Sequence, residues 1–138
     1  MSPLYAHSIS QQIAGALHHL HSHSIIYQDL KPGNVLLWQF PRPETQWDND
    51  SVIHVKLADY GVCQLDNPQG VKGIQGTPAY LPPEVLLQGG QQSHNTKLDV
   101  YSFGMFLYFL FTFSNPFEKE MRPVAFLLEE GKRPEFSS

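Results

Sequence analysis

The sequence predicts an α+β fold, mainly helical, with short β-hairpins carrying its polar loops. Three observations lead there. Apolar residues recur at three- and four-residue spacings near the N-terminus, brief β-favouring runs flank a polar loop at residues 27–34, and one later stretch is apolar almost without a break. The first is the period of an amphipathic helix, the second has the composition of strands, and the third is the pattern of a helix buried within a core.

In chain order, Leu4, Ile9, Ile13, Ala16, Leu17 and Leu20 predict a helix over residues 4–22. Ile25-Ile26-Tyr27 and Val35-Leu36-Leu37-Trp38 predict two strands around the loop, which Pro32 and Gly33 bend tightly. Residues 39–51 are polar and proline-rich and predict a long exposed hairpin connection before a strand at 52–57. Both strand pairs are expected to be local hairpins. Between Asp59 and Pro83 no period survives, and Gly61, Gly70, Gly73 and Gly76 mark irregular backbone of the kind that is often functional. Pro83 can open a short helix, since proline is tolerated in a first turn. A polar loop at 88–95 leads to the apolar helix at 98–113, expected to be buried on nearly all faces, and a last helix at 124–130 ends at Gly131, a favourable C-terminal cap.

Composition narrows the function. At 138 residues the chain can bury one core, so one domain is expected. A formal net charge of −4 with no basic block argues against nucleic acid and against a polybasic membrane patch. The apolar run from Tyr101 to Phe113 falls short of the roughly 20 residues that a membrane-spanning helix needs. The single cysteine, Cys63, excludes an intramolecular disulfide, and the N-terminus lacks the pattern of a signal peptide; both fit a cytoplasmic location.

The chemistry is concentrated in Tyr27-Gln28-Asp29-Leu30-Lys31-Pro32-Gly33-Asn34. An acid, a lysine two residues on and an amide five residues on are the offsets of a phosphoryl-transfer loop. There the acid accepts the proton of the attacking hydroxyl, the lysine faces the transferring phosphate and the amide holds magnesium. Asp29, Lys31 and Asn34 match these offsets, and Asp59-Tyr60-Gly61 follows where a second metal-binding acid is expected.

With Leu20-His21, Gly76-Thr77, Pro83-Glu84 and Asp99-Val100-Tyr101-Ser102-Phe103-Gly104 in the same order, the chain resembles the C-terminal lobe of a eukaryotic protein kinase over nearly its whole length. Lys31-Pro32 after Asp29-Leu30 is the serine/threonine form. Tyr27 and the Asp-Tyr-Gly triplet resemble the leucine-rich-repeat (Roco) kinases of the tyrosine-kinase-like group.

The resemblance implies ATP and Mg2+ as cofactors and a protein substrate as partner. It implies Asp29, Lys31, Asn34 and Thr77 as catalytic-site residues and Lys31, Asn34, Leu36 and Asp59 at the nucleotide, with Leu36 beneath the adenine. Asn34 and Asp59 are its metal ligands. It further implies that Asp99 braces the catalytic loop from the buried helix, and that Tyr27 and Tyr60 stack in the apolar spine that joins two lobes. Residues 1–138 then read as a partial kinase domain, from the helix before the catalytic loop to just past the helix ending near Gly131. No glycine-rich loop or ATP-binding lysine precedes it, so the N-lobe is expected to be absent and the chain alone inactive. Lys56, just before Asp59, reads as an ordinary strand residue, and the cluster His18, His19, His21 and His23 has no nearby carboxylate or thiol to complete a metal site.

Some positions depart from the family pattern. Gln28 replaces the arginine that usually precedes the catalytic acid, and residues 62–75 contain no Ser, Thr or Tyr. Together they predict activation without phosphorylation in that stretch. Pro82 stands where alanine is usual, and Glu84 is expected to lack its buried arginine partner. The expected absence of the N-lobe, Gln28 and the truncated end support an alternative reading as a pseudokinase-like binding or regulatory module.

Overall fold

The computed structural model describes residues 3–39 and 53–136. Five helical and strand elements precede the irregular segment's end: α1 (Pro3–Ser22), β1 (Ile25–Ile26), β2 (Val35–Gln39), β3 (His54–Leu57) and β4 (Gln64–Leu65). Three helices follow: α2 (Pro83–Leu86), α3 (Lys97–Thr112) and α4 (Val124–Glu129). Short 3-10 turns at Pro32–Asn34 and Pro78–Tyr80 each begin with proline, whose fixed φ suits a first turn. All but Gln39 of the polar connection expected at 39–51 lies outside the described residues, as does Val52 of the expected strand.

The face of α1 forms as its period requires, with Ala6, Ile9, Ile13 and Leu17 buried, but Leu4 is 77% exposed and Ala6 takes its place on the inner face. Ile9, Ile13 and Leu17 pack with Tyr27, Leu30, Ile53, Leu57, Phe106 and Leu110 in the main core. Each such side chain contributes about 1.5–3 kcal/mol by leaving water. Gln12 fastens the helix to β3. Its Nε2 donates to the Ile53 carbonyl (2.8 Å) and its Oε1 accepts from the Val55 N–H (3.1 Å).

Two expectations need correction. β2 and β3 do pair as antiparallel neighbours, with Val35 opposite Leu57 and a register shift at Trp38. The other pair is not a local hairpin: β1 pairs antiparallel with β4, Ile25 opposite Leu65, about forty residues along the chain. A two-residue strand carries too little pattern to name a distant partner, and tertiary packing makes the choice. Nor is α3 buried on nearly all faces. Leu98, Asp99, Ser102, Phe106 and Leu110 are buried, whereas Val100 and Phe111 are about 60% exposed, because the described elements that pack on it, α1 and the 78–80 turn, meet one side.

α3 ends at Phe113 in the left-handed region, its N–H bonded to the Phe109 carbonyl. α4 ends as expected: Gly131 has φ +76°, and Gly131 and Lys132 donate to the carbonyls of Leu128 and Leu127. Among the described residues no helix is long and apolar enough to cross a membrane.

Candidate active site

The loop that follows β1 is buried and held from below. Ile26, Tyr27 and Leu30 are fully enclosed, and Gln28 and Asp29 are 1% and 9% exposed. Buried backbone N–H groups need partners, and here a carboxylate supplies them. Asp99, with no exposed surface in the first turn of α3, accepts from the Tyr27 N–H through Oδ2 and from the Gln28 N–H through Oδ1, both at 2.8 Å. His21 Nε2 meets the same Oδ2 at 2.8 Å. The expected brace is thus present in geometry. His21 joins it, drawn out of a histidine-rich helix end in which the sequence offers nothing to single it out.

Above this base the side chains of Asp29, Lys31, Asn34 and Thr77 converge. Lys31 Nζ donates to Asp29 Oδ2 and to Thr77 Oγ1, each at 2.8 Å, and Thr77 Oγ1 donates to Asp29 Oδ1 at 2.8 Å. Asn34 Nδ2 donates to the Asp29 carbonyl (2.8 Å) and to its Oδ2 (3.0 Å). One carboxylate therefore accepts three side-chain donors, two of them from its own loop and one from 48 residues away. Its charge is fixed in orientation by hydrogen bonds that are individually strong because one partner is ionised.

Asp59 lies at the edge of this group. The Ala58 N–H donates to the Asn34 carbonyl at 2.9 Å, which sets the residue before Asp59 beside Asn34. Asp59 itself is exposed, in the left-handed region with φ +56°, and its Oδ1 accepts from the Gly61 N–H at 3.2 Å. Leu36 stands on β2 with half its surface open, next to the equally open Leu37 and Trp38. Tyr27 and Tyr60 meet edge to face with centroids 5.6 Å apart. The Tyr27 hydroxyl donates to the Ala58 carbonyl and the Tyr60 hydroxyl to that of Leu57 (3.4 Å). Burial raises the Tyr27 phenol above its ordinary range and pushes the Cys63 thiol up to about 11, so neither ionises near neutrality.

Several contributors were not visible in the sequence. The Gln28 side chain is buried, donates through Nε2 to the Val62 carbonyl at 2.6 Å and accepts through Oε1 from His94 Nε2 at 3.3 Å. Tyr80 ties the Thr77 turn to residues after α3, its hydroxyl donating to Asn115 Oδ1 at 3.0 Å, while Ser102 Oγ donates to the Tyr80 carbonyl at 2.8 Å. Burial, with the Glu118 carboxylate nearby, pushes the Tyr80 phenol up to about 12. Glu84 is exposed. Among the described residues, the histidines of α1 included, no three His, Cys, Asp or Glu side chains are grouped so as to hold a metal ion.

The side chains of this loop, a long-range threonine and an aspartate brace are thus gathered at one place, and comparison with known proteins shows the family of the chain. The model of the protein kinase domain matches residues 1–131, and the chain belongs to that family. Leucine-rich repeat serine/threonine-protein kinase 1 of Caenorhabditis elegans is 43% identical over 124 residues, covering 89% of this chain and 5% of that protein. The mouse protein of the same name is 36% identical over 108 residues, 78% of this chain and 5% of the relative. Ovarian-specific serine/threonine-protein kinase Lok of Drosophila melanogaster is 34% identical over 123 residues, 88% of this chain and 24% of the relative. The chain thus spans at most about a quarter of the length of these relatives.

Proposed function

We propose that these residues form the C-terminal lobe of an ATP-dependent protein serine/threonine kinase, of the leucine-rich-repeat (Roco) type within the tyrosine-kinase-like group, which acts together with an N-lobe supplied elsewhere. The observation that carries this reading is the Asp29–Lys31–Thr77 triangle, with 2.8 Å on each side. It joins an acceptor for a proton, a cation for a phosphoryl group and a hydroxyl from the acceptor-side turn.

In this reading Asp29 exchanges the Thr77 hydroxyl for that of the substrate and accepts its proton as the substrate oxygen bonds to the γ-phosphorus and the bond to the ADP oxygen breaks. Lys31 remains against Asp29 and offers its charge to the phosphoryl oxygens. Catalysis of this kind is mainly positioning and charge neutralisation. The donors fit magnesium. Asn34 spends its Nδ2 on Asp29 and so has its amide oxygen left to offer, Asp59 adds an exposed carboxylate, and both are the hard oxygen ligands the ion prefers. Bound there, the metal would neutralise the phosphates, and Leu36 offers an apolar surface for the adenine.

The family uses ATP, a protein substrate and an intracellular setting, and the reading adopts all three. The test is phosphorylation of a serine- or threonine-containing peptide by the full-length protein with magnesium-ATP, compared with Asp29→Asn. Transfer that survives this substitution would falsify the assignment. A second reading, a regulatory pseudokinase, is favoured by one contact, the Asp59 carboxylate turned onto its own Gly61 N–H. It predicts no transfer, and a melting temperature that magnesium-ATP leaves unchanged.

A further inference from the structure

The segment between Asp59 and Thr77 has little regular structure to hold it. β4 is two residues long, and apart from its pairing the segment is fixed at a few points. Gln28 touches it near both ends. Its Nε2 donates to the Val62 carbonyl, three residues after Asp59. Its carbonyl lies against Gly76, one residue before Thr77, so closely that a Cβ on Gly76 would come within 2.3 Å of it. Its Oε1 accepts from His94, and the His94 backbone exchanges both hydrogen bonds with Val71, each 2.9 Å, in the middle of the segment. Gln28 itself has φ +72°, a left-handed conformation that a residue of this kind adopts at a cost. It directly precedes Asp29.

We propose that Gln28 and His94 are positioning residues that fix the segment carrying Asp59 and leading to Thr77 against the Asp29 loop. They do so through hydrogen bonds within a buried pocket, whose hold weakens when the His94 imidazole takes on a charge that the pocket cannot solvate. This rests on the kinase reading for its catalytic consequence, though not for the contacts themselves.

The chemistry of the ring supports the second half. Donation to Gln28 requires the proton on Nε2, which leaves Nδ1 bare, and Nδ1 has no hydrogen-bond partner among the described residues. A second proton would put a full charge on a ring only 8% exposed, a desolvation cost larger than what the Gln92 backbone returns. Burial lowers the ring's pKa below the ordinary 6.5, outweighing the Gln92 backbone and the carboxylates of Glu84 in α2 and Asp99 in α3, which favour the charged form. Asp66 and His94 both line a polar cavity of about 230 Å3. The folded pKa is depressed, so the contact is fully favourable above 6.5. It weakens as pH falls below that value, because the released ring takes up a proton before the held one does.

The experiment is amide hydrogen exchange on the full-length protein between about pH 7.5 and 5.5, corrected for intrinsic rates. Gln28→Leu, His94→Phe and His94→Gln are compared with the parent. The Val71 and His94 amides of the parent should lose about tenfold protection as pH falls, while amides within α1 do not. His94→Gln, which keeps a neutral donor, should retain protection and lose the pH dependence, and His94→Phe should lose protection at every pH. In Gln28→Leu, kcat should fall more than the KM for ATP rises. If Gln28→Leu fails to fold, parent against His94→Gln decides alone. A parent profile that His94→Gln reproduces overturns the proposal, as does full protection in His94→Phe. Because exchange needs no turnover, these outcomes stand apart from loss of the kinase reading, which Asp29→Asn tests.

Discussion

The Asp29 loop and the Asp59 segment place their acids in opposite circumstances. Asp29 is 9% exposed and accepts three side-chain hydrogen bonds, and its loop rests on a carboxylate with no exposed surface at all. Asp59 is exposed and accepts from the amide two residues on, and its segment is tied down by a two-residue strand, the Val71–His94 bridge and the Gln28 side chain. The comparison teaches that this fold holds the Asp29 carboxylate rigidly and leaves Asp59 on backbone whose position depends on a few polar contacts. Local stability follows buried contacts and satisfied hydrogen bonds, so opening should begin in the Asp59 segment.

The contrast can be broken most sharply at Asp29. Asp29→Asn in the full-length protein is expected to lower phosphate transfer by about a thousandfold or more while leaving the melting temperature nearly unchanged, since the amide keeps the shape and part of the hydrogen bonding. Peptide phosphorylation and calorimetry together check it. The rigid base is tested by Asp99→Ala. That strands the N–H groups of Tyr27 and Gln28 and the ring of His21 inside the protein, and should cost about 3–5 kcal/mol in chemical denaturation. A loss below about 1 kcal/mol would show that water reaches those groups and that the base is not rigid.

Gly76→Ala probes the seam between the regions. The new Cβ meets the Gln28 carbonyl at 2.3 Å and φ is +100°, so about 1–3 kcal/mol of strain is expected, with exchange rising first in the Asp59 segment. Thr77→Val removes the hydroxyl that bridges Asp29 and Lys31 and should reduce turnover about tenfold, whereas Thr77→Ser should restore it. The smallest effect is expected far from both regions. Arg122 and Glu130 form a bidentate but exposed pair, and Arg122→Ala should leave the melting temperature within measurement scatter.

What could be read in advance follows the range of the interactions. The offsets of Asp29, Lys31 and Asn34 lie within one loop, so spacing alone brings them together. The Gly131 cap and the buried face of α1 were legible for the same reason: they depend on neighbours a turn or two away. The partner of β1, the exposed side of α3, and the roles of His21, Gln28 and His94 were not. Each depends on a residue forty or more positions distant, or on what lies across an interface, and a single buried polar side chain has no periodic signal.

The sequence by itself determined the family and the local grouping of Asp29, Lys31 and Asn34, because motif spacing and local hydrophobic period are written in consecutive residues. The tertiary structure alone decided what holds that site: that Asp99 lies under the loop, that Thr77 closes over Asp29, and that Gln28 occupies the junction between the two acids. The physical reason is that burying a polar group is tolerated only where a partner waits for it, and packing, not sequence order, decides where those partners are.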